Sequence, residues 1–258
     1  MQTSAQGLRV LVTAGAAGIG KAFAEVFADA GAGVFVCDVD RNAIDAFRAE
    51  RPGIGSGIAD VADPRQVDGL FDAARAFLGG LDVLINNAGI AGPTARVEDI
   101  ALSDWERTIA VDLNGMFYCT RRAVPLLKAA GGGSIINMSS AAGRLGFPLR
   151  TPYAAAKWAV VGFTKSLAIE LGPSNIRVNA IQPGIVEGER INRVISAKAK
   201  ALGTSFDEIR DRMVSKVSLR RMVSPYDIAN TALFLATDAG RNISGQALSV
   251  CGNVETLV

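Results

Sequence analysis

Short apolar runs alternate along the whole chain with longer stretches whose apolar residues recur every three or four positions. RVLVT (9–13) is the first run, and GVFVCD (33–38), the glycine-rich GIGSGIAD (53–60), LDVLIN (81–86), GGGSIINMSS (131–140), IRVNAIQPG (176–184) and GQALSV (245–250) repeat the pattern. Runs this short, bounded by Gly, Asp or Asn, read as buried strands. Helical periodicity follows in KAFAEVFADAG (21–31), near 41–50, from about Pro64 to Leu78, from Ser103 to Ala130, from Pro152 to near Leu171-Gly172-Pro173, and over about 225–236. Ser103 with Glu106 three residues later is a capping-box pattern, which sets the start of the long fourth helix. A charged insert occupies about 188–221, with nine Lys/Arg and four Asp/Glu between Glu189 and Arg221. Regular β-α alternation implies an α/β fold: a doubly wound parallel sheet of Rossmann type with helices on both faces. No repeat or linker divides the chain, so residues 1–258 are expected to form a single domain.

Chemistry enters at two places. The first is the turn after RVLVT, where Gly15, Gly18 and Gly20 precede a helix. Glycines let a backbone approach a pyrophosphate, and free N–H groups at a helix N-terminus attract the anion. A strand–helix turn of this kind also forms with no ligand. Asp38 tips the balance: it ends the next strand, eighteen residues after Gly20, where an acid accepts hydrogen bonds from a ribose 2′-OH. The second place is Tyr153 with Lys157, four residues apart and so on one helix face. An ammonium beside a phenol favours the phenolate. Bringing a tyrosine from about 10 to near 7 requires roughly 4 kcal/mol, which a cation in a partly desolvated site supplies. The pair is then a proton-transfer group usable at neutral pH.

These features stand in a longer series. TAGAAGIG (13–20), Asp38, Asp60-Val61, NNAG (86–89), Asn114, Ser140, Tyr153, Lys157 and Pro183-Gly184 occur in an order and spacing that resemble the short-chain dehydrogenase/reductase family over nearly the whole chain. The resemblance implies that Tyr153 exchanges a proton with a secondary alcohol or ketone while hydride moves to or from nicotinamide. It implies that Ser140, with Ser139 as its rival, holds the reacting oxygen. Lys157 would lower the Tyr153 pKa and hold the nicotinamide ribose, and Asn114 would hold a water linking that lysine to solvent. For the cofactor it implies Gly15, Gly18, Ile19 and Gly20 at the pyrophosphate, Asp38 at the ribose, Asp60 and Val61 at the adenine, and Asn87, Ala88 and Gly89 along the adenosine ribose. Pro183, Gly184 and Val186 complete that set. The expected cofactor is NAD rather than NADP, since Asp38 repels a 2′-phosphate and the glycine loop carries Ala16 and Ala17 where a cation would serve NADP.

Three positions depart from the family pattern. Ala14 replaces the first loop glycine and must adopt a conformation that alanine tolerates. Gly188 stands where a threonine usually contacts the carboxamide. Cys251 and Asn253 interrupt a common C-terminal motif. The insert 188–221 corresponds to the family's substrate lid. Arg144, Arg150, Arg190 and Arg193 would there meet an anionic substrate or form a solvated face, and Phe147 and Leu149 would supply an apolar wall. Family members pair the helices at 103–130 and 153–172 across subunits, so Ala110, Phe117, Ala154, Trp158 and Phe163 point to a homotetramer, then a dimer, with GNVETLV (252–258) near a neighbour.

Composition narrows the alternatives. A net charge of +2 gives no nucleic-acid signal, and no apolar run reaches membrane length. Histidine is absent, which excludes a His-dependent triad and a His-liganded metal site, and no metal site is expected. Three scattered cysteines and an N-terminus without a basic-then-apolar leader point to a cytoplasmic protein. The competing functions are an NADPH-linked 3-oxoacyl-type ketoreductase and a non-catalytic NAD(H)-binding regulator.

Overall fold

All seven apolar runs form strands of one parallel sheet in the computed structural model, which describes residues 4–254 and 257. The strands are β1 (Arg9–Thr13), β2 (Gly33–Asp38), β3 (Gly55–Ile58), β4 (Val83–Asn86), β5 (Gly133–Met138), β6 (Ile176–Pro183) and β7 (Ala247–Val250), in the order β3-β2-β1-β4-β5-β6-β7. Consecutive strands step one way from β1 to β3 and the other way from β4 to β7. The reversal lies between β1 and β4, so the crevice at their C-terminal ends is the topological switch point where such sheets bind ligands.

Residues alternate between two cores. Val10 and Val12 of β1 face α1 (Gly18–Asp29), α2 (Arg41–Glu50) and α9 (Pro225–Ala236), among Phe23, Phe27, Phe47, Ile228 and Leu235. Leu11 faces α3 (Pro64–Leu78), α5 (Gly115–Ala129) and α6 (Thr151–Leu171), among Phe71, Leu127 and Leu171. Burial on both faces is why these strands read as continuous apolar runs. A third, smaller core of Ile195, Ile209, Met213 and Val217 lies under α7 (Glu189–Leu202) and α8 (Phe206–Val214), against Ile185, Cys251 and Val254.

The helix expected from Ser103 to Ala130 is corrected in two respects. It starts two residues early, as α4 (Leu102–Ile109), with Ala101 at the N-cap and no side-chain cap. The amides of Asp104 and Trp105 bond to the Ala101 carbonyl, which leaves Ser103 inside the first turn. The helix is also not continuous: Ala110–Asn114 widen into a π-helical turn before α5 begins. An extra residue in one turn rotates the side chains that follow, and such turns gather at functional sites. Among the described residues no helix is long and apolar enough to cross a membrane.

Candidate active site

The glycine turn leaves β1 at Thr13 and is locked by the loop after β4. The Asn87 side chain donates to the carbonyls of Thr13 and Ala14, each at 3.0 Å. The Thr13 hydroxyl accepts from the amides of Asn87 and Ala88 at 3.0 Å. This clamp explains Ala14. Its φ is +49°, so the loop keeps a glycine-like left-handed conformation instead of relaxing to one that alanine prefers. That conformation costs an alanine about 1–2 kcal/mol. Gly20 is required by contact, since a Cβ there would lie 1.9 Å from the Ala14 oxygen. Helix α1 has no side-chain cap and no acid in its first turn, so the N–H groups at Gly18, Ile19 and Gly20 are open to an anion. Gly15 packs on Val36, where a Cβ would sit 2.6 Å from that side chain. Asp38 ends β2 beside this loop, accepting from the amides of Ala16 at 3.4 Å and Asp40 at 3.2 Å. After β3, Asp60 pairs with Arg107 at 2.9 Å, and the buried Val61 lies under Gly115. These residues fit a dinucleotide: a close-packed glycine cradle, an open helix N-terminus and an acid at the tip of the neighbouring strand.

The candidate proton-transfer residues gather one strand further on. Ser140 follows β5 and N-caps the turn Ala141–Gly143, accepting from the Ala142 amide at 3.1 Å. The buried hydroxyl of Ser139, its rival, donates to the Lys157 carbonyl at 2.8 Å and so fastens α6 to the end of β5. Tyr153 and Lys157 share one face of α6, with the ammonium 5.5 Å from the tyrosine ring centroid. Lys157 is buried and donates to the Met138 carbonyl at 3.0 Å. Burial pushes the Tyr153 phenol up, but the charges of Arg190 and Lys157 and a hydrogen bond from Ser140 outweigh it and hold the phenol below its ordinary value. Asp112 works against them.

Asn114 is the residue expected to hold a water that links Lys157 to solvent. It is exposed at the end of the π-helical turn. The turn directs Asp112 inward: fully buried, it lies 3.4 Å from the Lys157 nitrogen and accepts from the Ile90 amide at 2.7 Å. The available signal was an acid inside the apolar stretch IAVDL, where a buried charge needs a partner. Gly89 completes this cluster, since a Cβ there would lie 3.2 Å from the Lys157 nitrogen.

The four candidate substrate arginines separate. Arg150 is buried at the start of α6, with its guanidinium 5.2 Å from the ring centroids of both Phe147 and Tyr153. Arg190, on α7, reaches across to the Gly89 carbonyl at 3.3 Å and lies 5.8 Å from the Tyr153 ring. Arg144 turns away from the crevice, donating to the Val254 carbonyl and the Cys251 sulfur. Arg193 pairs with Glu189 on the surface. Leu149 sits at φ +64° and gives its carbonyl to the Ala95 amide. Lys198, which the sequence reading missed, comes in from α7 to 4.9 Å from the Phe147 ring.

The other departures from the family pattern are structural. Gly184, next to Pro183, passes so close to the C-terminal segment that a Cβ would lie 2.8 Å from the Cys251 backbone. Val186 bridges to Val223, and Gly188 N-caps α7 at φ +129°, a conformation other residues rarely adopt. Asn253 donates to the Ser218 hydroxyl at 2.8 Å, so the C-terminal loop grips the segment after α8. Glu255, Thr256 and Val258 of the C-terminal heptapeptide lie outside the described residues.

Known proteins resemble this chain over nearly its whole length. A family model described as Enoyl-(Acyl carrier protein) reductase matches residues 14–253. The trans-4-hydroxycyclohexanecarboxylate dehydrogenase of Sinomonas cyclohexanicum is 39% identical over 252 residues, covering 94% of this chain and 90% of that protein. The 3-oxoacyl-[acyl-carrier-protein] reductase FabG of Thermotoga maritima is 34% identical, covering 96% and 98%. The chain belongs to the short-chain dehydrogenase/reductase family. Among solved structures, NAD+-bound xylitol dehydrogenase superposes with a TM-score of 0.91 at 29% identity, covering 96% of this chain and 99% of that one. Short-chain dehydrogenases/reductases are NAD(P)-linked oxidoreductases of hydroxyl and carbonyl carbons, and this chain is one of them.

Proposed function

We propose that this short-chain dehydrogenase/reductase interconverts a secondary alcohol and its ketone with NAD(H), using Tyr153 as the general acid and base. One observation carries the reading: Ser140, Tyr153 and Lys157 converge next to a glycine cradle whose neighbouring strand ends in Asp38. Nicotinamide, when bound, takes up hydride in alcohol oxidation and returns it in ketone reduction. The protein handles the proton. Tyr153, as phenolate, accepts the hydroxyl proton while Ser140 donates a hydrogen bond to the same oxygen. Lys157 keeps the phenolate favourable, and Asp112 and the Met138 carbonyl hold Lys157 in place. Gly15, Gly18, Ile19 and Gly20 would hold the pyrophosphate, Asp38 the ribose hydroxyls, and Asp60, Val61, Ala88 and Gly89 the adenosine side. Pro183, Gly184 and Val186 would border the nicotinamide. Helices α7 and α8 serve as the substrate lid, and the protein works in the cytoplasm. A panel of secondary alcohols, including polyols, sugars and hydroxy acids, tests the reaction by NADH formation. Absence of NADH formation with all of them, and of NADH consumption with the matching ketones, would sink it.

The preference for NAD rests on Asp38, whose carboxylate would face a 2′-phosphate with no cation bonded to it in the structure. Like charges about 4 Å apart near a surface cost about 4 kcal/mol before relaxation, so kcat/KM with NAD should exceed that with NADP at least ~10-fold. Asp38→Ala should shrink the ratio from both sides, by loosening NAD and admitting NADP. Preference for NADP in the natural chain would favour the competing NADPH-linked 3-oxoacyl reductase, the reading that likeness to FabG supports.

A homotetramer is the assembly that the exposed apolar surface of α4 to α6 favours. Phe117 and Trp158 are half exposed, and Ile169 is 82% exposed, so these side chains do not fill the core of one subunit. Light scattering should give a mass of roughly four times 26.9 kDa, consistent with closed two-fold interfaces. Trp158→Glu should shift it towards dimer or monomer. A natural chain that scatters as a 26.9 kDa particle would remove the assembly from consideration.

A further inference from the structure

Two cations beside Tyr153 have no anionic partner among the described residues. Lys198 is 4% exposed, yet its ammonium has no hydrogen-bond partner. Arg150 is 3% exposed, gives one nitrogen to the Ala91 carbonyl, and leaves Nε without a partner. Neither forms an ion pair among the described residues. They flank one ring: the Arg150 guanidinium lies 5.2 Å and the Lys198 ammonium 4.9 Å from the Phe147 centroid. Arg150 is equally close to the Tyr153 ring, so this cation pair adjoins the candidate proton-transfer group. Asp112, the acid whose charge acts on Arg150, is held by Lys157 and the Ile90 amide.

Burying an unpaired charge is costly, and buried charges are ordinarily paired or hydrogen-bonded. Here the cost falls twice at one place, on residues from different elements, α7 and the start of α6. Burial and the neighbouring charges of Arg150 and Arg212 push the Lys198 ammonium down to about 8. An arriving anion would reverse that pressure. Of the other basic residues of the region, Arg144 holds the C-terminal segment, though its Nε also lacks a partner, Arg193 pairs with Glu189, and Arg190 is exposed and bonds to Gly89, while Arg212 adds its charge to the repulsion on Lys198.

We propose that Arg150 and Lys198 form an oxyanion-binding subsite beside Phe147, which takes a carboxylate, or an equivalent sulfonate or phosphate, on the substrate alcohol or ketone. The guanidinium fork fits two oxygens of such a group and the ammonium a third contact. The Phe147 ring faces the apolar body that carries the anion. The substrate class follows: hydroxy acids and keto acids whose anionic group lies apart from the reacting carbon. This inference rests on the reaction proposed above only for what the anion is attached to; the subsite itself is independent of turnover.

The test uses the full chain with NADH bound and inert probes. Butyrate, propanesulfonate, inorganic phosphate and the neutral butyramide are titrated calorimetrically into the natural protein, Lys198→Met and Lys198→Gln. At least one oxyanion should bind at least ~10-fold more tightly than butyramide, and both substitutions should weaken it ~10–100-fold, the range for a charged hydrogen bond. The ranking of the three anions identifies the preferred group. Lys198 has no hydrogen-bond partner among the described residues, so its loss should leave folding intact, checked by circular dichroism; Arg150→Lys, which keeps the charge, supplies an independent variant that should bind with reduced affinity. Selectivity in turnover for 3-hydroxybutyrate over its methyl ester should fall in the same variants. Oxyanions that bind no better than butyramide, or equally well to natural and Lys198-substituted protein, overturn the subsite. Anion binding through Lys198 in a protein that oxidises no alcohol would overturn the reaction and leave the subsite standing.

Discussion

Replacing Tyr153 by phenylalanine is expected to lower kcat at least ~100-fold, within the 10²–10⁴ range for loss of a positioned general acid–base. The substitution removes one oxygen and keeps the ring, so the contacts of Arg150, Arg190 and Lys157 with its face persist. Cofactor binding, read by NADH fluorescence, should change far less than turnover. The pH dependence checks the same group. Burial opposes ionisation, but Arg190, Lys157 and Ser140 outweigh it, so the phenol titrates below its ordinary value. Alcohol oxidation needs the phenolate, so its rate should rise as pH climbs through that lowered pKa. Ketone reduction needs the phenol and should fall over the same interval. Both limbs should vanish in Tyr153→Phe. Turnover within a few-fold of the natural chain would remove Tyr153 from the mechanism.

The centre of the sheet was legible because β1, β2, β4 and β6 are largely buried and read as nearly unbroken apolar runs, with helical stretches between them. The glycine cradle was legible for a similar reason: Gly15 and Gly20 stand where neighbouring atoms leave no room for a Cβ. What escaped the sequence depends on rotation within helices. In a regular helix Asp112 and Asn114 point about 200° apart, so only one of them can face α6. Periodicity alone does not say which, and the π-helical turn shifts the phase at that point. Motif order singled out Asn114, and the fold presents Asp112 to Lys157. The helix start at Ala101 was hidden because the cap is a backbone arrangement with no capping side chain. The arginines were ambiguous for another reason. Long side chains take their direction from tertiary partners, and nothing near Arg144 in sequence announces that Cys251 and Val254 will claim it. Lys198 looked like one more solvated charge of the insert until the third small core buried its helix face.

Lys157→Met should damage both stability and chemistry, and the two losses should separate. Lys157 and Asp112 are both buried, with 3.4 Å between ammonium and carboxylate. Removing the cation strands Asp112 in the interior, and breaking a buried pair from one side costs about 3–5 kcal/mol. Urea unfolding should report most of that loss. Without Lys157 the Tyr153 phenol also loses a charge that lowers its pKa, so the oxidation profile should move to higher pH and neutral-pH turnover should fall. Asp112→Asn acts on Tyr153 with the opposite sign: removing the carboxylate that raises the phenol's pKa should move the profile to lower pH. The double variant Lys157→Met/Asp112→Asn removes both charges. It should recover much of the stability lost in Lys157→Met, because no unpaired carboxylate remains, while turnover stays low because the ammonium is still missing. A structural pair with no part in proton transfer would show the recovery of stability and no movement of either pH profile. A Lys157→Met protein as stable as the natural chain would show instead that Asp112 does not depend on Lys157 for compensation.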